Sequence, residues 1–461
     1  MSASDPAASV NPVPTTAEEL AAAVERDGVE FMLAMFVDMH GKPCAKLIPA
    51  SSVEETAKSG AGFAGFAAGA LGQTPADPDL AAIPDPRSYT VLPWKPEVAV
   101  VQCDPTVGGE PWPFAPRVIL GRRLAALAER SMTLMCGAEA EYFLVRRSPE
   151  GEVILADDQD SAASPCYDVR GLMRMYDHLA AVSRHLNSLG WGNYANDHED
   201  ANGQFEQNFR YADAMTTADR LVLFRYLVHS LAEEAGMEAT FMPKPFSNLT
   251  GNGLHVHLSL WSHQGDELFV DPDDPRGLGV SGLGYQFIAG MLQHARSAAA
   301  ITCPTVNSYK RMGAGPPLSG ATWAPAYVAY GGNNRTHMLR IPEPGRVENR
   351  AVDGLANPYL AFAVLLEAGL DGVDRGLDPG EPNTANLFEA GVADKAGLGS
   401  LPPTLLHAAD ELVKDDVLRS ALGKTPRGEY IDYYAELKRQ EFFAYHSQVS
   451  SWEIDTYLSR V

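Results

Sequence analysis

In "LHVHLSLW", residues 254–261, apolar and polar side chains alternate from Leu254 to Leu260. Successive side chains of a β-strand point to opposite faces. The pattern therefore predicts a strand with His255, His257 and Ser259 on one face and Leu254, Val256, Leu258 and Leu260 on the other. Two more segments follow the same schedule. "AEAEYFLV" (138–145) puts Glu139 and Glu141 on one face, and "GRVENR" (345–350) aligns Arg346, Glu348 and Arg350. Taken singly, each is equally a strand of a half-solvated antiparallel sheet, whose outward face is polar. Together they point further, because neighbouring glutamates repel and divalent cations would account for both the acids and the recurring histidines. Carboxylates with one imidazole suit Mg²⁺ or Mn²⁺ better than zinc or copper. A fourth stretch, "NDHEDANGQFEQNF" (196–209), carries Glu199 and Glu206 either side of an Asn-Gly turn. They are expected to reach the same cations from a strand end and the loop beyond it.

The surrounding chain is that of a large α+β enzyme. Its 461 residues suggest more than one domain. A formal net charge of −23 argues against nucleic acid or anionic membrane as partners. The first residues lack the basic and apolar regions of a secretory signal, and "AGFAGFAAGALG" (61–72) is too short to span a bilayer. Five scattered cysteines without a CxxC suggest neither a disulfide framework nor zinc, which fits a cytoplasmic location. Residues 1–15 read as a disordered tail. "TTAEELAAAVERDGV" reads as a helix opened by a Thr-x-x-Glu cap, and "VEFMLAMFVD" and "KPCAKLIP" as a hairpin around "MHGK". With the strand "EVAVVQCD" (97–104), these make a small unit over 16–113, ended by the proline-rich "PWPFAP". The remainder, 114–461, alternates helices and short strands, the clearest helix being "TADRLVLFRYLVHSLAEEAG", begun by a threonine and ended at Gly236. His40, His178, His229 and His407 match no motif and are read as surface or packing residues. Cys166 and Tyr167 are placed near the rim of the acidic site by their position just ahead of it.

Several motifs in fixed order then carry a resemblance: "FVDMHGKPCAKLIPA", "HEDANGQFE", "FMPKPFSNLTGNGLHVHLSL", "PTVNSYKR", "NNRTHMLRIP" and "NPYLAFAVLLEAGLDGV". Nearly the whole chain resembles the glutamine synthetase superfamily, nearest to its glutamate–amine ligases, typified by γ-glutamylmethylamide synthetase, and to type III bacterial enzymes. The resemblance implies an N-terminal β-grasp domain, a catalytic domain with helices around a curved antiparallel sheet, and a dodecamer of two hexameric rings with active sites between subunits. It implies ATP as co-substrate, two or three Mg²⁺ or Mn²⁺ per site, and a γ-glutamyl phosphate intermediate captured by an amine. Glu141, Glu199 and Glu206 resemble the ligands of the metal near glutamate, and Glu139, His255 and Glu348 those of the metal at the ATP phosphates. Arg311 resembles the clamp on the γ-carboxylate and transferred phosphoryl group, Gly251 and Arg350 hold glutamate, and His257, Ser259, Arg335, Arg340 and Arg346 fall at nucleotide and phosphate positions, with Arg311 and Arg335 the catalytic pair. "RMGAGPPLSGATWAPAY" (311–327) resembles a closing flap.

Three departures matter. Where ammonia-using members carry an aspartate in a "FDGSS"-like segment, this chain has "FAGFA" (63–67), so Ala64, Phe66 and Ala67 are expected to line an apolar pocket for methylamine or ethylamine. The competing reading is a glutamine synthetase in which Asp197 or Asp200 receives ammonium. Pro317 stands near the family's flap glutamate, and no acidic residue lies between Arg311 and Glu343. Phe388, in "NLFEA", replaces the tyrosine that adenylylated members modify. A non-catalytic relative is a further class, but such a protein would lose metal ligands first, and all six positions are filled.

Overall fold

The computed structural model describes residues 13–312, 324–389 and 391–460. Its contacts divide into two units, one reaching Val118 and one running from Ile119 with the short segment Met39–Gly41.

The first unit opens with a helix, Ala17–Arg26, whose Thr16 hydroxyl accepts the Glu19 N–H at 3.2 Å. Seven strands among the described residues follow: β1 (Phe31–Val37), β2 (Pro43–Pro49), β3 (Ala61–Phe63), β4 (Leu80–Pro84), β5 (Thr90–Leu92), β6 (Lys95–Val107) and β7 (Glu110–Pro111). They form one sheet in the order β2-β1-β6-β4-β3, with β5 and β7 also paired to β6. The expected hairpin is present, β1 and β2 pairing antiparallel from Phe31 opposite Pro49 to Val37 opposite Pro43. Ala64, Phe66 and Ala67 lie at and on the short helix Gly65–Ala68, and all three are exposed.

The second unit is built on a ten-stranded sheet, counted over the described residues. Its strands are β8 (Met132–Arg147), β9 (Val153–Leu155), β10 (Asn193–His198), β11 (Gln204–Phe209), β12 (Ala212–Asp213), β13 (Glu238–Thr240), β14 (Leu254–Ser262), β15 (Tyr330–Gly331), β16 (Leu339–Arg340) and β17 (Val347–Asn349). The main order is β10-β11-β8-β14-β17-β16-β15. Leu254, Val256, Leu258 and Leu260 are fully buried, as the alternation requires. Burying each such side chain is worth roughly 1.5–3 kcal/mol.

Two readings change. The helix expected to start at Thr217 spans Ala214–Glu234, and its cap is Asp213, which accepts the Thr216 N–H at 3.0 Å. Thr217 is instead buried and donates its hydroxyl to the Cys136 carbonyl at 2.8 Å. Glu206 is not in a loop but in the middle of β11. The helix Pro358–Arg375 is buried on most sides. Asn357 caps it through the Tyr359 and Leu360 N–H groups, Pro358 fills the first position, and Gly376 closes it at φ +61°. The five cysteines are all free thiols. Among the described residues no helix is long and apolar enough to cross a membrane.

Candidate active site

The strand registers assemble the site. Glu206 on β11 lies directly opposite Glu141 on β8 and, on its other side, opposite Asp197 on β10. One strand further, Glu139 on β8 faces His255 on β14. His257 on β14 then faces Glu348 on β17, and Glu348 faces Arg340 on β16. Directly opposed residues hold their Cβ atoms about 4.5–5.5 Å apart. Six neighbouring strands, β10 to β16 in the sheet order, thereby turn a chemical face with period two into one continuous row of acids, imidazoles and arginines.

This row lines a cavity of about 390 Å³. Five of the six expected metal ligands line it, Glu139, Glu141, Glu199, Glu206 and His255, together with Gly251, His257, Arg311, Arg335, Arg340, Arg346 and Arg350, while Glu348 is fully buried beside His255. Cys166 and Tyr167 also reach its wall. Ser259 lines a second cavity of about 540 Å³, which shares Glu139, His257 and Arg346 with the first and adds Tyr194, Tyr211 and Trp261. Of the flap segment 311–327, residues 313–323, Pro317 among them, lie outside the described residues, as do residues 1–12 of the tail. Phe388 is exposed. His178 packs edge-on to Tyr142 and His229 to Phe241, as side chains without a catalytic motif do.

At one end of the row, charges are balanced by the protein. Glu348, fully buried, accepts from Arg340 at 2.6 Å and from Arg350 at 2.5 Å. Burial pushes its carboxyl up, but His255, Arg350, His257 and Arg340 outweigh this and hold it down near 2. Burial likewise opposes ionisation of Glu139, and the hydrogen-bonded His255 and His257 reverse that effect, keeping it well below the usual range. His257 sits 3.1 Å from Glu139 and 3.1 Å from an Arg346 nitrogen. Arg311 is held by the backbone, donating to the Ala351 and Arg350 carbonyls at 3.0 and 3.1 Å.

The other end is unbalanced. Burial first, then Glu141 and Asp197, push the Glu199 carboxyl up to about 8. Burial, then Glu199, Glu139 and Glu141, drive Glu206 well above the ordinary range, and one Asn208 amide at 2.9 Å offsets little of it. Three acids on adjacent strands repel one another unless a cation or protons intervene.

That imbalance tests the fit of a divalent ion. Glu139, His255 and Glu348 offer ligand atoms within 4.8 Å of one another, as do Glu141, Glu206 and His255. His255 stands between the two groups, 3.7 Å from Glu139, Glu141 and Glu348. Such oxygen-rich sets with one imidazole suit a hard divalent cation. Glu199 lines the same cavity without belonging to either close group.

Sequence reading missed several residues. Gln204 donates to Glu141, Gly251 and Asn252 at 3.3, 3.1 and 2.9 Å. With Glu206 and Asn208 it shares the period-two face of β11, a signal already present in "QFEQN". Lys244 lines the cavity through a loop, where no periodicity marks it. Close packing also requires glycine at two positions. A Cβ at Gly251 would meet the Pro243 carbonyl at 2.2 Å, and one at Gly253 would lie 2.8 Å from Arg311, 3.0 Å from His255 and 3.3 Å from Glu141.

Comparison with known proteins agrees with this geometry. Residues 113–457 match the glutamine synthetase catalytic domain. The chain is 44% identical over 442 residues to a glutamine synthetase of Rhizobium meliloti, covering 95% of this chain and 99% of that one. It is 44% identical over 438 residues to the glutamate–methylamine ligase of Methyloversatilis universalis, covering 94% and 97%. Among solved structures, a GmaS/ADP complex superposes with a TM-score of 0.90 at 47% identity, covering 95% of this chain and 99% of that one. The chain belongs to the glutamine synthetase family of ATP-dependent carbon–nitrogen ligases.

Proposed function

We propose that this enzyme joins the γ-carboxylate of glutamate to a small alkylamine, methylamine or ethylamine, through a γ-glutamyl phosphate formed from ATP. The observation that carries this reading is the exposed apolar trio Ala64, Phe66 and Ala67, where an ammonium ion would need a carboxylate and an alkyl group gains a wall. The likeness to a glutamate–methylamine ligase supports it. A carboxylate is a poor acyl donor until it is phosphorylated. In this reading Gly251 and Arg350 orient glutamate, and Arg311, immobilised by two carbonyls, meets the charge that builds on the transferring oxygens. His257, Ser259, Arg335, Arg340 and Arg346 hold the nucleotide and its phosphates.

Mg²⁺ or Mn²⁺, held by Glu141, Glu199 and Glu206 and by Glu139, His255 and Glu348, would supply charge neutralisation at phosphoryl oxygens. The acyl phosphate must be shielded from water, a task we assign to the flap that begins at Arg311. A β-grasp domain over residues 16–113, a catalytic domain over 114–461, a cytoplasmic location and a dodecamer that places the trio of one subunit at the cavity of its neighbour complete the proposal.

A second reading, glutamine synthesis from ammonium, is favoured by the equal identity to a glutamine synthetase and by Asp197, which lines the cavity. Phosphate release with ATP, Mg²⁺ or Mn²⁺ and glutamate, run in parallel with ammonium, methylamine and ethylamine, separates the two. The alkylamine reading expects the highest kcat/KM with methylamine or ethylamine, and a higher value with ammonium would overturn it.

A further inference from the structure

We propose that Asp160 is a positioning residue, a buried carboxylate that clamps the turn between Glu199 and Glu206 and so sets where those two ligands point. The inference rests on the reading of Glu141, Glu199 and Glu206 as cation ligands.

Asp160 lies in the irregular segment between β9 and the helix Val169–Arg174, with a side chain 1% exposed. Its carboxylate gathers the turn at three places. One oxygen accepts from His198 Nε2 at 2.8 Å and from the Gly203 N–H at 2.7 Å, and the other accepts from the Asn202 amide at 3.0 Å. These donors are the last residue of β10 and the two residues of the Asn-Gly turn, where Gly203 has φ +71°. The other ring nitrogen of His198 donates to the backbone carbonyl of Glu199 at 2.9 Å. The peptide that carries Glu199 is thus tied, through one imidazole, to Asp160.

The surroundings leave the imidazole no freedom. A Cβ on Gly171 would meet the ring at 2.5 Å, so the helix backbone lies against the ring's Cδ2–Nε2 edge. Phe205 packs edge-on at 5.0 Å, and the His198 carbonyl accepts from the Tyr167 N–H at 2.9 Å. From the cavity side Gln204 accepts the Ala201 N–H at 3.1 Å and donates toward Glu141. The turn is therefore fixed from both sides, by an amide that touches a ligand and by a carboxylate that touches none. Outer partners of this kind orient ligands, and their loss typically weakens metal affinity by roughly 10–100-fold.

The test is Mn²⁺ binding, read from the electron paramagnetic resonance signal of free Mn²⁺, without nucleotide or glutamate. It compares the wild type with D160A, D160N, N202A and, as the reference for the site near glutamate, E206Q. The expected result is that D160A weakens by about tenfold or more the same class of site that E206Q removes. The second class should stay within about twofold, and D160N and N202A should fall between. In turnover, the Mn²⁺ concentration for half-activation should rise while kcat at saturating Mn²⁺ changes less. Folded variants that bind both classes as the wild type does, or that weaken both equally, would overturn the proposal. If D160A does not fold, D160N and N202A carry the measurement. A wild type that binds no Mn²⁺ defeats the ligand reading itself, and the inference with it.

Discussion

The two ends of the acidic row differ in who supplies the positive charge. Around Glu348 and Glu139 the protein provides it, through Arg340, Arg350, His255 and His257. Around Glu199 and Glu206 the protein provides more acids. The first end carries much of its own counter-charge, and the second is left short of it. Acids of identical type, one strand apart, thus serve stability in one place and cost it in another.

Removing one acid from each end should have opposite consequences for stability. E348A strands two buried arginines, and breaking a buried pair costs about 3–5 kcal/mol. It should unfold at markedly lower urea and lose turnover. E206Q relieves repulsion, so in EDTA its urea midpoint should equal or exceed that of the wild type, while phosphate release falls roughly 10²–10³-fold. A destabilised E206Q would show that the two ends do not differ in kind. Next in size is the response to metal. Mn²⁺ at about 100 times its Kd should stabilise the wild type by about 2.7 kcal/mol, visible as a raised Tm, and E206Q should lose much of that rise.

A smaller effect is expected at the amine. A64D restores a charged partner for ammonium, and a hydrogen bond to a charged group is worth about 1.5–3 kcal/mol. Competition between ammonium and methylamine should shift by about tenfold or more toward ammonium, and an unchanged ratio would separate Ala64 from acceptor choice.

The smallest effect lies outside the cavity, where His294 reaches Asp415 at 2.7 Å and Asp371 at 3.0 Å. Burial lowers the tendency of His294 to protonate, but the two carboxylates outweigh it and raise its pKa. A raised folded pKa contributes stability that is complete below the unfolded value, about 6.5, and is lost as pH rises through the folded one. Asp415 is opposed by burial and lowered by His294, so its share is lost only as pH falls through its depressed value. The urea midpoint of H294N should therefore trail the wild type most near pH 5–6 and converge with it in mildly alkaline buffer.

Much of this was legible in the sequence because a strand writes its chemistry with period two. The faces of β8 and β14 were readable from eight residues each, and Glu199 and Glu206 from their place around Asn202 and Gly203. Register was not readable. Nothing in "GRVENR" states that Glu348 meets both His257, which comes from a segment far back in the chain, and Arg340, which comes from the strand just before it, since the pattern within one strand does not say which residues of its neighbours it opposes. Asp160 was invisible for a related reason, sitting in an aperiodic segment 38 positions ahead of the histidine it holds. The start of the long helix was misplaced because Thr217 and Asp213 are both good capping residues, and tertiary packing drew the threonine toward β8.

Gly253 carries a consequence for how such a site is searched by mutation. Alanine scanning deletes atoms and passes over glycine, yet here a single added methyl would press on Arg311, His255 and Glu141 together. It would do so without removing a charge or a hydrogen-bonding group. G253A is thus a purely steric probe of three functional groups, and any route by which this site changes its chemistry through single substitutions must go around that position.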